Sequence, residues 1–219
     1  MSVTDEPRPR REPFFNAPWP AAALALVMVG CFLLQEAVGP EAWIGYAFAP
    51  ALLGTDGSWT MLTTQFLHGG WPHLLMNAVG ALAFGAPVAR LFGLTARGVA
   101  AFFIFYLLCG SLAIWGHGLL NTGSLEPVIG ASGGVSGLMG AAGRLIDRRG
   151  QLGPIWSRTA IGFSVAWVAV NVIIAFVGFA PGLGEGRVAW EAHLIGFFAG
   201  LLLVGPFARL AGTFRPATH

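Results

Sequence analysis

Three short segments carry polar side chains inside otherwise apolar runs, at residues 66–77, 130–137 and 191–200. The polar residues that could do chemistry are His68, His73 and Asn77 in the first segment, Ser132 and Ser136 in the second, and His193 in the third. A serine hydroxyl becomes a nucleophile when a nearby base takes its proton, and histidine is the usual base near neutral pH. We therefore predict nucleophilic catalysis, with Ser132 as the nucleophile and His193 as its base.

The sequence offers no carboxylate placed to orient this histidine. Glu191 is the acidic residue nearest to it, but it lies two positions before His193 and points to another face of a helix. We predict a Ser–His dyad, not a triad. His73 and Asn77 lie one helical turn apart and can face the same side, so they are candidate donors to an oxyanion. The backbone N–H groups at the start of a helix would add further donors.

The elements that position these residues are predicted from composition. Of the 219 residues, 55% are hydrophobic and only 10% are charged, and the mean hydropathy is +0.69. A soluble domain is about a quarter charged, so the composition indicates a polytopic membrane protein that contacts the lipid bilayer. The arginines are scattered, which argues against nucleic-acid binding. Cys31 and Cys109 lie in apolar runs and form no metal-binding pattern. We expect no metal and no cofactor.

Apolar runs and their breaks predict an all-α fold with six transmembrane helices. The predicted spans are Pro20–Leu34, Pro72–Leu91, Gly98–Trp115, a short Gly-rich Ser132–Ile146, Thr159–Phe179 and Val188–Leu210. We divide the chain into a disordered cytoplasmic tail at 1–19, a six-helix domain at 20–210 and a cytoplasmic tail at 211–219. The half-apolar connection Glu36–Gly70 suits a first outer loop that lies in the membrane interface.

Arginine placement predicts the orientation, because basic residues collect on the cytoplasmic side. Most arginines flank the connections that would face inward, with Arg187 as the exception. Both termini are then cytoplasmic, and spans two, four and six all run from outside to inside. The three polar segments begin these spans, so they share one depth in the outer part of the bilayer. Polar groups at such a depth are costly and are candidates for function.

Two pairs of glycines explain how these spans can approach each other. Gly133 and Gly137 form a small-xxx-small face on span four, and Gly196 and Gly200 form one on span six. Such faces let helix backbones pack closely. Contact between the two faces would bring Ser132 and His193 together.

The three segments together resemble the rhomboid family of intramembrane serine proteases, over roughly residues 20–210. The matching motifs are Gly130-Ala131-Ser132-Gly133, His73-Leu-Leu-Met-Asn77 and Ala192-His193-Leu-Ile-Gly196-Phe-Phe-Ala-Gly200. The resemblance implies a six-helix bundle whose water-filled cavity opens outward, and cleavage of transmembrane protein substrates within or near their spans. It places the nucleophile on Ser132, the base on His193 and the oxyanion donors on His73 and Asn77. We expect Gly130, Ala131 and Gly133 to contribute to oxyanion or substrate binding.

The sequence departs from patterns that some family members show. Neither Trp43 nor Trp59 in the first outer loop is followed by arginine, and no glutamate lies near the end of span two. The position four residues after the nucleophile, where some members place an aromatic ring over the histidine, is Ser136. These departures concern how the loop is anchored and how His193 is oriented.

Other interpretations remain open at this point. Ser132 and Ser136 could be small residues in a helix contact, and His68 and His117 are expected to be structural or interfacial. Asn171 is expected to form an interhelical hydrogen bond. A catalytically inactive rhomboid-like binding factor would have lost the serine or histidine, and a small-solute transporter would usually show internal repeats. A zinc protease would need His-Glu-x-x-His, which is absent. The Lys-free, Ala-, Gly- and Arg-rich composition suggests a bacterial inner membrane.

Overall fold

The computed structural model describes residues 17–146, 150–177 and 188–213, and these residues form a helical bundle. The only β pairing in these ranges is an isolated bridge between Phe48 and Val128. The helices are α1 (Trp19–Val38), α2 (Pro40–Trp43), α3 (Thr60–Thr63), α4 (Trp71–Phe92), α5 (Ala96–Leu120), α6 (Ser132–Gly143), α7 (Arg158–Val177) and α8 (Trp190–Ala211).

Five of these helices, α1, α4, α5, α7 and α8, are long and apolar enough to cross a membrane. The chain is therefore a multi-pass membrane protein with an all-helical fold. The predicted fourth span corresponds to α6, which has 12 residues and a length of about 18 Å at 1.5 Å per residue. That length is less than the hydrocarbon thickness of about 30 Å. The helix α6 is buried within the bundle, where it packs against the longer helices α4, α5 and α8.

The helix ends follow from local sequence. Pro20 occupies the first turn of α1, where a missing N–H costs nothing. Thr95 caps α5 by accepting a hydrogen bond from the Gly98 N–H at 3.2 Å. The helices α1 and α4 stop at Gly39 and Gly93, whose φ angles of 80° and 79° favour glycine.

The short helix α6 forms the centre of the bundle. Residues Gly133 and Gly134 and all residues from Ser136 to Gly143 are buried. It packs most extensively against α8 and then against α5 and α4, while α1 packs mainly against α4. In contrast, α7 packs only lightly on α6 and α8 and leaves most of its apolar surface exposed. The apolar core lies between α1, α4, α5, α6 and α8.

The predicted glycine contact between α6 and α8 is confirmed. A Cβ atom added to Gly196 would overlap the carbonyl of Gly133, and one added to Gly200 would overlap the carbonyl of Gly137. The two backbones are therefore in direct contact. This close approach brings the first turn of α8 against the first turn of α6.

The connection between α1 and α4 contains α2, α3 and several 3-10 turns. The Phe48–Val128 bridge and a hydrogen bond from the Thr64 hydroxyl to the Val128 carbonyl tie it to the segment that precedes α6. Ile44, Tyr46 and Trp59 are about half exposed, which the predicted interfacial placement requires.

Several predicted regions lie outside the described residues. These are the greater part of each predicted tail, namely residues 1–16 and 214–219, and also residues 147–149 and 178–187, the latter including the end of predicted span five and the connection to span six.

Candidate active site

The hydroxyl of Ser132 and the imidazole of His193 form a hydrogen bond. The distance from His193 Nε2 to Ser132 Oγ is 2.9 Å. Ser132 is the first residue of α6, and His193 lies in the first turn of α8. The glycine contact described above holds these two turns together, so the backbone approach sets the distance between the reactive atoms. This geometry suits proton transfer from a serine to a histidine base.

The second ring nitrogen of His193 contacts an asparagine of α7. His193 Nδ1 lies 3.1 Å from Asn171 Oδ1, and Asn171 is completely buried. The expected interhelical hydrogen bond of Asn171 is thus present, and its partner is His193. The ring of Trp167 lies beside that of His193, with centroids 6.2 Å apart and planes tilted by 36°. An aromatic ring from α7 therefore lies beside the histidine, although the residue four positions after the nucleophile is Ser136 and not an aromatic residue.

The ring of His73 lies beside Gly130, just before the start of α6. The Gly69 N–H donates to His73 Nδ1 at 3.3 Å, so the proton of the neutral ring resides on Nε2. A Cβ atom added to Gly130 would lie 2.7 Å from this Nε2 and 3.8 Å from Ser132 Oγ. The Nε2 edge of the His73 ring therefore lies close to the Gly130 backbone, in the space beside the Ser132 hydroxyl.

Gly130 provides the space that this arrangement needs. Its φ of 128° favours glycine, and a side chain there would collide with the His73 ring. Its own N–H donates to the Thr64 carbonyl at 3.0 Å and is not available to a substrate. The contribution of Gly130 is close approach, not hydrogen bonding.

The remaining predicted site residues take different positions. Asn77 lines the same cavity and donates one amide hydrogen to the His73 carbonyl at 3.0 Å, which leaves its second amide hydrogen for another acceptor. Gly133 lines the cavity and packs against Ala113. Ala131 is fully buried, immediately precedes α6 and belongs to the apolar core.

A cavity of about 880 Å³ opens over these groups. It begins at the N-terminal ends of α4, α6 and α8, and His73, Asn77, Ser132 and His193 all line it. Its wall is mostly apolar, with α7 contributing Trp167, Val170 and Ile174. Among the described residues, no group of three His, Cys, Asp or Glu side chains is placed to hold a metal ion.

The other polar residues of the three segments lie around the site. His68 is fully buried, and its ring is 5.3 Å from that of His73. Burial, and to a lesser degree the neighbouring His73, lowers the pKa of His68 to about 4, so this imidazole is neutral at pH 7. Ser136 is buried one turn below Ser132. His117, which belongs to α5, lies 3.6 Å from Glu191, and both side chains line the cavity.

The fold and this site define a multi-pass membrane protein with a serine–histidine pair inside a cavity between its helices. Residues 55–209 match the Rhomboid domain. This match covers more than half of the chain, so the protein belongs to the rhomboid family.

The chain is also similar to individual proteins, some of which carry the family's name. The chain is 34% identical over 155 residues to an uncharacterized protein of Mycobacterium tuberculosis, a match that covers 68% of this chain and 59% of that protein. It is 34% identical over 151 residues to RHOMBOID-like protein 4 of Arabidopsis thaliana, covering 68% and 34% of the two chains. It is 30% identical over 132 residues to Rhomboid-related protein 3 of Homo sapiens, covering 60% and 28%. The matched region is less than two thirds of each of these relatives.

Proposed function

We propose that this protein is an intramembrane serine endopeptidase that cleaves transmembrane protein substrates within or near their membrane span. The observation that carries the proposal is the 2.9 Å contact between Ser132 Oγ and His193 Nε2 at the wall of a large cavity. In this proposal both termini are cytoplasmic and the cavity opens on the outer side of a bacterial inner membrane, so that water can reach the serine.

The proposed reaction begins with proton transfer from Ser132 Oγ to His193 Nε2. The serine oxygen attacks the scissile carbonyl carbon, whose oxygen becomes negatively charged. His73 Nε2–H, the free amide hydrogen of Asn77 and the backbone N–H of Ser132 donate to this oxyanion, and the N-terminal end of α6 adds a favourable dipole. The imidazolium then gives its proton to the leaving amine. A water molecule hydrolyses the resulting ester by the same steps, with His193 again as the base.

A substrate helix has to unwind before this attack, because its carbonyl groups are shielded and hydrogen-bonded to its own N–H groups. Small or helix-breaking residues near the cleavage site would lower the cost of unwinding. We therefore propose that substrates carry such residues near the outer end of their span.

The proposal is tested by reconstituting the protein into liposomes together with a transmembrane substrate of this kind. We expect the wild-type protein to cleave the substrate and Ser132→Ala to reduce cleavage to background. Ser136→Ala is the matched control, because it removes a buried hydroxyl from the same helix one turn away, and it is expected to remain active. Cleavage by Ser132→Ala would reject Ser132 as the nucleophile. Absence of cleavage by the wild-type protein, with retained substrate binding or with solute uptake, would indicate a binding factor or a transporter.

The oxyanion role of His73 makes a separate prediction. His73→Ala removes the donor beside the serine and is expected to lower kcat about 100- to 1,000-fold with little change in KM, because an oxyanion donor acts on the transition state. Steady-state cleavage rates at several substrate concentrations measure both constants. An increase in KM at unchanged kcat would instead assign His73 to ground-state substrate binding.

A further inference from the structure

Among the residues of α7 whose burial the structure describes, two are buried, Ala160 and Asn171. The rest of this helix is mostly exposed or half-buried and apolar. A buried amide in such a helix is costly unless its donor and acceptor are both satisfied. Hydrogen bonds satisfy both the donor and the acceptor of the Asn171 amide, and the two partners determine what this residue can do.

The orientation of the Asn171 amide is fixed by its own helix. Its Nδ2 donates to the Trp167 carbonyl at 2.9 Å. A carbonyl oxygen accepts and cannot donate, so the nitrogen of the amide has to face Trp167. The Asn171 oxygen is then the atom that faces His193 Nδ1, at 3.1 Å.

This orientation decides which tautomer of His193 fits the site. Since Asn171 Oδ1 can only accept, His193 Nδ1 has to carry the ring proton. The neutral imidazole then has its lone pair on Nε2, 2.9 Å from Ser132 Oγ. A histidine can take the proton of a serine only in this tautomer. The hydrogen bond to Asn171 also fixes the direction of the ring and stabilises the imidazolium formed during the reaction.

We infer that Asn171 is a positioning residue for His193, so that Trp167, Asn171, His193 and Ser132 form one chain of hydrogen bonds from α7 to the nucleophile. This chain takes the place of the orienting carboxylate that the sequence lacks. The inference rests on the proposed function for its effect on catalysis. The tautomer that it assigns to His193 is a property of the protein whether or not it cleaves a substrate.

Three variants separate positioning from packing. Asn171→Leu keeps a similar volume and removes the acceptor, and we expect kcat to fall about 10- to 100-fold with little change in KM, a part of the roughly 100- to 10,000-fold that general-base catalysis supplies. Asn171→Asp keeps an acceptor toward His193, and its buried carboxyl group, in the protonated form, can still donate to the Trp167 carbonyl. This variant is expected to recover most of the loss. Ser164→Ala is the matched control, because it removes a polar group of α7 whose hydroxyl donates to the Ala160 carbonyl of its own helix, at 2.7 Å. Its kcat is expected to stay at the wild-type value.

The tautomer is measured independently by nitrogen NMR of protein labelled with ¹⁵N-histidine in detergent micelles or bilayers. The His193 signals are assigned from those that disappear in His193→Gln. We expect a protonated Nδ1 and an unprotonated Nε2 in the wild-type protein, and a change in this pattern in Asn171→Leu. A wild-type His193 with its proton on Nε2, or equal loss of kcat in the leucine and aspartate variants, would overturn the inference. Wild-type protein that shows the expected tautomer but cleaves no substrate would contradict the proposed function and leave the inference standing.

Discussion

Replacing His193 with alanine is expected to lower kcat for a transmembrane substrate about 100- to 10,000-fold, the range that a general base supplies. The change removes the atom 2.9 Å from Ser132 Oγ. It also removes the group that would protonate the leaving amine. Because His193 lines the cavity, the space that it leaves is continuous with the cavity and the bundle should keep its fold. KM should change little, since the imidazole does not hold the ground-state substrate.

His117→Ala is the control for this variant. His117 is another imidazole at the wall of the same cavity, but its partners are Glu191 and Asn121. Its replacement should leave kcat close to the wild-type value. Equal losses in the two variants would indicate that any perturbation of the cavity wall inactivates the protein. A His193→Ala protein with normal kcat would remove the proposed base from the mechanism.

Replacing Gly200 with leucine is expected to destabilise the bundle by about 3 kcal/mol or more, at the upper end of the cost of overpacking. A Cβ atom at this position would already overlap the carbonyl group of Gly137. The obstacle is backbone, which cannot rotate away as a flexible side chain can. The α6–α8 contact would have to open, and with it the contact between Ser132 and His193. Thermal unfolding in detergent measures the loss of stability.

Gly30→Leu makes the same chemical change on α1 at a position where nothing lies within 4 Å of an added Cβ. It should unfold at the wild-type temperature or slightly above, because leucine favours the helix more than glycine does. Similar unfolding temperatures for Gly200→Leu and the wild-type protein would show that α6 and α8 do not depend on backbone contact.

The sequence was sufficient to predict the elements that carry the site. The apolar runs predicted the long helices, and the glycine pairs predicted which faces of α6 and α8 would meet. Those glycines are informative because only glycine permits one helix backbone to contact another, as Gly196 does with Gly133. Once that contact was assumed, the positions of Ser132 and His193 in their first turns implied that they would be neighbours.

The surroundings of His193 could not be predicted in the same way. Apart from Ser164 and Asn171, residues 161–177 of α7 are apolar or glycine, so the hydropathy pattern alone does not indicate which face meets the bundle. Asn171 was expected to bond to another helix, but no spacing rule named His193 as its partner. Trp167 lies one turn before Asn171 and shares its face, so the asparagine was the available signal for both residues. The tautomer of His193 follows from the hydrogen bond between Asn171 and the Trp167 carbonyl. This hydrogen bond cannot be inferred from the sequence pattern.

The length of α6 was also difficult to read from sequence. The predicted span continued to Ile146, whereas the helix ends at Gly143. Arg144 lies just beyond this end, and its guanidinium donates to the carbonyls of Gly153 and Leu201 at 2.9 Å and 3.0 Å. These tertiary hydrogen bonds fix the turn after α6, and a hydropathy pattern does not contain them.

The activation of Ser132 by His193 is tested most directly by covalent labelling with a fluorophosphonate, a reagent that reacts with serines activated by a neighbouring base. The result to be measured is which residue carries the label. The wild-type protein in detergent is incubated with the probe, digested and analysed by mass spectrometry. We predict one adduct, on Ser132, and no adduct in Ser132→Ala or His193→Ala. An adduct on Ser136, or an unlabelled wild-type protein that is otherwise folded, would contradict the activation of Ser132 by His193.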